Sequence, residues 1–300
     1  MVWDDEVDVV CYGSGFGGLA SAIVAVDAGL EVFVARSGSE PGAAPGSGAP
    51  WLGSGVEDQE TLDYFAALSG DVELVAGGSS DADLAVRVVS DPVPAGPRAR
   101  IEPFYGARLR DWAAQCLVSP YGVLYTRILD RDTTPMKTRS GEEIQVKVVG
   151  AVEPGTNAAS AVNEWLLTQT RERDIEISDG CALQRIVFEE GEVLGAVIDT
   201  ADGPLALRAR HGVAITTDSH QIGTTDMTLP VSDPGQPLQV CLVGHSASRF
   251  ARVELLTTET AAVAPRSAYC RSNRVHDGLR EAGRSHARRC RKMHRYPPLG

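Results

Sequence analysis

A glycine-rich turn near the N-terminus is the feature that most restricts the fold of this 300-residue chain. Residues 13–18 read GSGFGG and follow a short apolar run, residues 7–12. Residues 17–28 are small and suited to a helix, Gly29 is placed to end it, and residues 31–35 form a second apolar run. The pattern predicts a strand, a turn, a helix and a second strand, which together form the β-α-β unit of a parallel sheet.

The turn also has the spacing G-x-G-x-x-G, which is typical of adenine dinucleotide sites when it lies between a strand and a helix. The first glycine permits the tight turn, the second lets the backbone approach a pyrophosphate, and the third lets helix and strand pack closely. The helix N-terminus would offer N–H groups and the positive end of its dipole to the phosphates. A glycine turn of an unrelated α/β protein is the alternative. The predicted cofactor-binding residues are Gly13, Ser14, Gly15, Phe16, Gly17 and Gly18.

The second half of the chain predicts the rest of this sheet. Residues 156–173 have the spacing of an amphipathic helix and lead into a third strand over residues 174–178. Residues 181–209 alternate and contain two acid–glycine pairs, a pattern typical of a three-stranded antiparallel meander. Residues 211–216 then predict a fourth strand, of the buried type.

The remaining segments give weaker signals. We predict a helix over residues 58–68, a strand over 238–244 and a helix over 252–263. Residues 91–130 are rich in proline, arginine and aromatic residues and support no assignment.

With this order of elements, the chain resembles the FAD-binding domain of flavoproteins of the fumarate reductase, succinate dehydrogenase and 3-ketosteroid dehydrogenase group. Residues 8–35 and 156–216 carry the resemblance, which covers about a third of the chain. It implies FAD as the cofactor. It also implies hydride transfer between the flavin and a carbon next to a carbonyl or carboxylate of a small organic or steroid-like substrate.

Pattern and resemblance together predict an α/β fold, with a Rossmann-like parallel sheet, an antiparallel β-meander and an inserted cap-like region. The FAD-binding domain would be discontinuous and comprise residues 1–40 and 151–264. Residues 41–150 would form the cap-like insertion, and residues 265–300 a basic, disordered tail.

Three departures from the family bear on function. Arg36 occupies the position at which the family has an acid that hydrogen-bonds the adenosine ribose. An arginine cannot accept those bonds, but it can pair with a 2′-phosphate or with the pyrophosphate, so NADP is an alternative cofactor and a solvated surface arginine a third possibility. Residues 216–220 replace a glycine-rich turn, and the glycine turn and helix that end the family's domain are not found after residue 240. A non-catalytic or degenerate dinucleotide-binding protein is therefore the competing hypothesis.

Other site residues follow from the resemblance alone. Ser47 and Gly48 lie in a long Gly/Ser/Pro loop where the family lines its flavin, and a flexible loop without a ligand is the alternative. Related enzymes use tyrosine and arginine as proton donors and substrate clamps. The catalytic candidates are Tyr121, Tyr125 and Arg127, for which an aromatic-rich core is the competing explanation.

Composition excludes several classes of partner. The net charge is −12, although residues 266–300 carry 10 Lys and Arg against 2 Asp and Glu. The acidic body is a poor partner for nucleic acid or an anionic membrane. The apolar run over residues 19–34 is interrupted by Asp27 and Glu31, so it is no membrane span. Scattered cysteines and an acidic N-terminus without an export signal predict a cytoplasmic protein with reduced thiols, while the oligomeric state stays open.

Two further motifs are interpreted as coincidences, and no metal site is predicted. Residues 244–248 approach the G-x-S-x-G elbow of α/β-hydrolases around Ser246, but Ser248 replaces the last glycine. The basic tail holds several zinc-ligand residue types, but a zinc site needs four of them on a stable scaffold. These residues are Cys270, His276, His286, Cys290 and His294.

Overall fold

The computed structural model describes residues 2–13, 15–37, 52, 55–69, 84–92, 106–117, 119–127, 133–153, 158–216, 238–246 and 248–258. Its helices and strands are, in chain order, β1 (Asp5–Tyr12), α1 (Phe16–Asp27), β2 (Val32–Ser37), α2 (Gln59–Ser69), β3 (Val86–Pro92), α3 (Gly106–Leu117), β4 (Gly122–Tyr125), β5 (Thr134–Thr138), β6 (Glu143–Val152), α4 (Ala158–Glu172), β7 (Ile177–Glu189), β8 (Glu192–Thr200), β9 (Gly203–Ile215), β10 (Leu238–Gly244) and β11 (Phe250–Thr258).

The predicted α/β class is confirmed, in a mixed eleven-stranded sheet whose parallel strands lie in the order β7-β2-β1-β9. Strand β1 pairs in parallel with β2 on one side and with β9 on the other, and β2 pairs in parallel with β7. The adjacency predicted for residues 7–12, 31–35 and 174–178 is thus observed, with β7 beginning at Ile177. Because these strands run the same way, their carboxyl ends share one edge of the sheet.

The antiparallel meander is also observed. Strand β7 continues beyond its pairing with β2 and pairs with β8, which pairs with β9. Glu190 and Gly191 both have positive φ at the first turn, a conformation that suits a tight hairpin. We call β1, β2, β7, β8 and β9 the parallel region. Four of them are the parallel strands, and β8 is the antiparallel strand that lies between β7 and β9 in the meander.

Five other strands close on themselves. The pairings run β11-β10-β6-β5-β3, and β3 pairs back to β11. We call these five strands the ring. Strand β4 pairs with β9 on one side and with β11 on the other, so it joins the ring to the parallel region within the described part of the chain.

The helices cover both faces of the eleven-stranded sheet. Helices α1 and α4 pack on one face, where Ile23 and Leu166 are fully buried. Helices α2 and α3 pack on the other face through Phe65 and Trp112. The helices predicted over residues 17–28, 58–68 and 156–173 correspond to α1, α2 and α4.

One predicted element is wrong. Residues 252–263 were expected to be helical, but β11 occupies residues 250–258. Val253 and Leu255 face one core, whereas Phe250 and Leu256 face the other, and β11 pairs with β10, β4 and β3. Pairing on both sides outweighs a local preference for helix, which amounts to only fractions of a kcal/mol per residue.

Three further predictions concern membrane spans, the tail and the division into domains. None of the described helices is long and apolar enough to cross a membrane. Residues 265–300, predicted to be a tail, lie outside the described residues. The division into a discontinuous domain and a cap-like insertion stays a prediction.

Candidate functional site

The glycine turn lies at the carboxyl edge of the parallel strands. Gly13 follows β1 with a φ of 116°, a conformation that favours glycine, and its N–H donates to the carbonyl of Ala35 in β2 at 3.0 Å. Helix α1 then begins at Phe16. The turn therefore has the strand, turn and helix context that the sequence predicted, while Ser14 itself lies outside the described residues.

Thr216, the residue after β9, packs directly against this turn. Its N–H donates to the carbonyl of Tyr12 at 2.8 Å, and its Oγ1 accepts the N–H of Gly15 at 3.0 Å. A Cβ atom added to Gly15 would lie 2.9 Å from the Thr216 Cβ, and one added to Gly18 would lie 3.1 Å from the Thr216 Cγ2. The motif glycines are thus needed for close packing within the protein itself.

The turn before β4 covers the N-terminus of α1. The Phe16 N–H donates to the carbonyl of Pro120 at 2.8 Å. A Cβ atom on Gly17 would lie 2.6 Å from the carbonyl oxygen of Gly122 and 2.8 Å from that of Tyr121. Two N–H groups that a dinucleotide-binding turn presents to phosphate, those of Gly15 and Phe16, therefore have acceptors inside the protein.

Tyr121 directly precedes β4 and Tyr125 is its last residue, and both contact α1. The Tyr121 ring stacks on Phe16 with 5.7 Å between ring centroids, and its hydroxyl donates to the Oδ1 of Asn163 in α4 at 2.9 Å. The Tyr125 hydroxyl hydrogen-bonds the Oγ of Ser21 at 2.6 Å. Burial raises the pKa of Tyr125 well above its ordinary value, so this hydroxyl stays protonated.

Arg127 lies just beyond β4 and contacts the meander. Its guanidinium donates to the carbonyls of Arg210 at 3.0 Å and Val193 at 3.1 Å and lies 3.5 Å from Glu192. Tyr121, Tyr125 and Arg127 thus lie on one short stretch of chain, along which the two tyrosines contact α1 and Arg127 contacts the meander. Their catalytic role stays a prediction.

Arg36 lies near the end of β2, one residue beyond the carbonyl that accepts from the glycine turn. Its Nε lies 2.9 Å from the Oδ1 of Asp179 in the neighbouring strand β7, and the side chains are 39% and 70% exposed. The arginine is therefore accompanied by a carboxylate at the same sheet edge. Sequence reasoning missed Asp179. The available signal was its position, two residues after the start of β7, because β7 is the strand that pairs with β2. Ser47 and Gly48 lie outside the described residues.

The ring contains a buried charged cluster that the sequence did not predict. Glu254 of β11 is fully buried and accepts from Arg252 Nη2 at 2.7 Å, and its other carboxylate oxygen lies 2.6 Å from the Nε of Arg87. Arg87 also donates to Glu142 at 2.8 Å. Alternation along β11 places Arg252 and Glu254 on the same face, a signal that was hidden because this segment was interpreted as a helix.

Trp112 and His245 complete the surroundings of this cluster. Both guanidinium groups lie over the Trp112 ring, at 5.9 Å for Arg87 and 5.4 Å for Arg252. The rings of Trp112 and His245 meet edge to face with centroids 4.6 Å apart. Burial lowers the pKa of His245, an effect that the nearby Glu142 carboxylate opposes. We call Arg87, Glu142, His245, Arg252 and Glu254 the charged cluster.

The remaining candidates are Ser246, the metal ligands proposed in the tail and the cysteines. Ser246 lies in the turn between β10 and β11, and the proposed tail ligands lie outside the described residues. Within the described ranges, no group of three His, Cys, Asp or Glu side chains is arranged to hold a metal ion. Four described cysteines are free and buried, and burial raises the pKa of the Cys11 thiol to about 12.

No known family model matches the chain. No curated protein matches it either. The fold is similar to a 3-ketosteroid-Δ4-(5α)-dehydrogenase from Rhodococcus jostii RHA1, with 19% identity, a TM-score of 0.27 and coverage of 71% of this chain and 46% of that one. It is similar to p-nitrophenol 4-monooxygenase from Pseudomonas putida DLL-E4, with 18% identity, a TM-score of 0.29 and coverage of 75% of this chain and 44% of that one. It is similar to a flavocytochrome c3 fumarate reductase, with 15% identity, a TM-score of 0.28 and coverage of 69% of this chain and 33% of that one.

The matched regions span less than half of each of these three proteins. Similarity at these TM-scores does not establish a shared activity.

Proposed function

We propose that the chain binds FAD at the turn between β1 and α1 and is a flavin-dependent oxidoreductase. The observation that carries this proposal is the glycine turn itself, with Gly13 at positive φ, at the carboxyl edge of strands ordered β7-β2-β1-β9. Dinucleotides bind at this edge in open α/β sheets, with the pyrophosphate at the helix N-terminus. When bound, the flavin supplies hydride transfer, here with a carbon next to a carbonyl or carboxylate of a small organic or steroid-like substrate.

The residues of the turn fit a pyrophosphate by type. Glycines at positions 13, 15, 17 and 18 leave the backbone without side chains, and the N-terminus of α1 offers a positive dipole end. In the observed conformation, the Gly15 and Phe16 N–H groups donate to Thr216 and Pro120. A phosphate oxygen and these two acceptors are alternatives at the same donors.

Tyr121, Tyr125 and Arg127 are the proposed groups for proton transfer and substrate contact. Burial raises the pKa of Tyr125, so its hydroxyl is protonated and can donate a hydrogen bond to a substrate. Arg127 is about one-third exposed and could meet an anionic group of a substrate. Ser47 and Gly48 are proposed to line the flavin.

A second candidate function is a degenerate dinucleotide fold that holds no cofactor. It is favoured by the internal acceptors of the Gly15 and Phe16 N–H groups, because the turn is satisfied without a ligand. Purified protein, reconstituted with FAD and separated from free flavin, should carry flavin absorbance that is released on denaturation. Protein that stays colourless and gains no thermal stability from FAD, NADP or NAD would favour the degenerate fold.

Arg36 decides between FAD and NADP in this proposal. If FAD binds, the ribose meets an arginine where an acceptor is needed, so Arg36→Glu should tighten FAD by about tenfold, the scale of one charged hydrogen bond. If a 2′-phosphate binds, the same change places a carboxylate against a phosphate and NADP binding should collapse while NAD binding improves. Calorimetric titration with FAD, NADP and NAD distinguishes the two.

The ion pair with Asp179 calls for a matched control in this titration. Arg36→Glu brings two carboxylates together, whereas Arg36→Gln removes the positive charge without adding repulsion. Tighter FAD binding by Arg36→Glu than by Arg36→Gln supports a role for the new acceptor. Unchanged binding of all three ligands by both variants would mean that Arg36 is a surface residue that serves only its pair with Asp179.

A further inference from the structure

We propose that residues 119–125 form an internal cap on the glycine turn, so that dinucleotide binding and the capped conformation exclude each other. This inference rests on the proposed function. The Pro120 carbonyl oxygen lies 2.8 Å from the Phe16 nitrogen, where it accepts the first N–H group of α1. That N–H can serve a phosphate oxygen only after the carbonyl has moved away.

The packing around Gly17 supports the same conclusion independently of hydrogen bonding. The position of a single added Cβ atom on Gly17 is 2.6 Å from the Gly122 carbonyl oxygen and 2.8 Å from the Tyr121 carbonyl oxygen. Contacts this short leave no space for a ligand atom between Gly17 and the cap. A ligand at the helix N-terminus must therefore displace the backbone of residues 120–122.

The cap is held by contacts outside the glycine motif. The Tyr121 hydroxyl donates to Asn163 of α4 at 2.9 Å, and the Tyr121 carbonyl accepts the N–H of Val253 at 2.9 Å. Both Tyr121 and Asn163 are buried. The bond between Tyr121 and Asn163 is thus an anchor that can be weakened without changing any residue of the turn.

Displacement of the cap is linked to the sheet through β4. This strand pairs with β9 through Leu124 and Tyr125 and with β11 through Gly122 to Leu124. The residue that follows β9, Thr216, accepts the Gly15 N–H on the other side of the turn. A charged phosphate oxygen is a stronger acceptor than a neutral carbonyl or hydroxyl, so FAD can compete with both. We expect its binding to loosen β4, the strand that joins the ring to the parallel region.

The test compares three full-length proteins: wild type, Asn163→Ala and Thr170→Ala. Asn163→Ala removes the anchor of the cap. Thr170→Ala is the matched control, because Thr170 is a buried polar residue of the same helix whose hydroxyl donates within α4, to the Leu167 carbonyl. Loss of one hydrogen bond from the capped state raises the uncapped fraction, and the apparent affinity for FAD rises in proportion, by roughly fivefold.

Two readouts are measured: FAD affinity by titration, and amide hydrogen exchange of the peptides that contain Phe16 and Tyr125. We expect Asn163→Ala, but not Thr170→Ala, to bind FAD more tightly and to exchange the Phe16 N–H faster without ligand. FAD should also accelerate exchange at Tyr125 in wild type, because its N–H donates to the Arg249 carbonyl beside β4. Wild type that binds FAD, with Asn163→Ala no tighter than Thr170→Ala, would overturn the cap.

Failure of the proposed function gives a different result. In that case none of the three proteins binds FAD, NADP or NAD, and only the rates of amide hydrogen exchange test the cap. Faster exchange of Phe16 in Asn163→Ala then supports a cap over a turn that has lost its ligand. Equal exchange in all three proteins overturns the cap as well.

Discussion

The glycine turn and the charged cluster are two buried polar regions of one sheet, and they are satisfied in opposite ways. At the turn, neutral N–H groups of Gly15 and Phe16 donate to a hydroxyl and a carbonyl. In the ring, the carboxylate of Glu254 is fully buried between the guanidinium groups of Arg87 and Arg252. A neutral hydrogen bond contributes about 1 kcal/mol net, whereas breaking a buried ion pair costs several times more.

This difference separates a region that can exchange partners from one that cannot. A phosphate can replace the Pro120 carbonyl as the acceptor of the Phe16 N–H. The cost is small, because the released carbonyl can accept a hydrogen bond from another donor. No comparable exchange is open to Glu254, since its charge would remain buried without compensation. We therefore expect the charged cluster of the ring to stay in place, and conformational change to occur at the turn and the adjoining β4.

The largest expected effect comes from the charged cluster. Glu254→Gln leaves the buried Arg252 and the partly buried Arg87 with one fewer negative charge, and we expect a loss of about 3–5 kcal/mol in the free energy of unfolding. Urea denaturation measures it. The control is Glu192→Gln, which breaks the exposed pair with Arg127 and should cost about 1 kcal/mol or less. Equal losses in both variants would mean that the cluster is no more costly to break than a surface pair.

The next effect tests how tightly the turn is packed. Gly13→Ala introduces a Cβ at a φ of 116° and against the carbonyl oxygen and Oγ1 of Thr216, and should cost about 2–4 kcal/mol. Gly29→Ala also has a positive φ, of 77°, but its added Cβ meets nothing within 4 Å, so about 1–2 kcal/mol is expected. The same denaturation measurement compares them. An equal cost would show that Thr216 does not crowd the turn.

The smallest expected effect is the pH response of His245. Burial lowers its pKa below the ordinary value of 6.5, against the opposing effect of Glu142, while Arg87 lowers it further and Glu254 raises it. The unfolded chain then binds more protons than the folded chain below about pH 6.5, so stability falls as the pH decreases from there towards the folded pKa. Melting temperatures between pH 8 and pH 5 measure this trend. In His245→Gln the decline should be shallower over that interval, and an unchanged slope would contradict the assignment.

Sequence patterns predicted much of the parallel region and little of the ring. Buried parallel strands are short apolar runs, and residues 7–12 and 31–35 show this pattern clearly. Strand β10 of the ring, an apolar run, was predicted over residues 238–244. The other ring strands carry charged residues among apolar ones, as in Arg252 and Glu254 of β11, so their alternation is easily mistaken for another period. Their pairing depends on neighbours distant in the chain, which a local pattern does not contain.

The sequence by itself determined the glycine turn, the β-α-β unit and the meander, because each depends on residues that are close together in the chain. Only the tertiary structure decided what faces the turn. Thr216 is 201 residues from Gly15, and the Pro120 carbonyl comes from a segment that supported no assignment. Backbone acceptors have no sequence signature, since every residue carries a carbonyl group. The sequence could therefore predict donors for a phosphate, but not that the chain supplies its own acceptors for two of them.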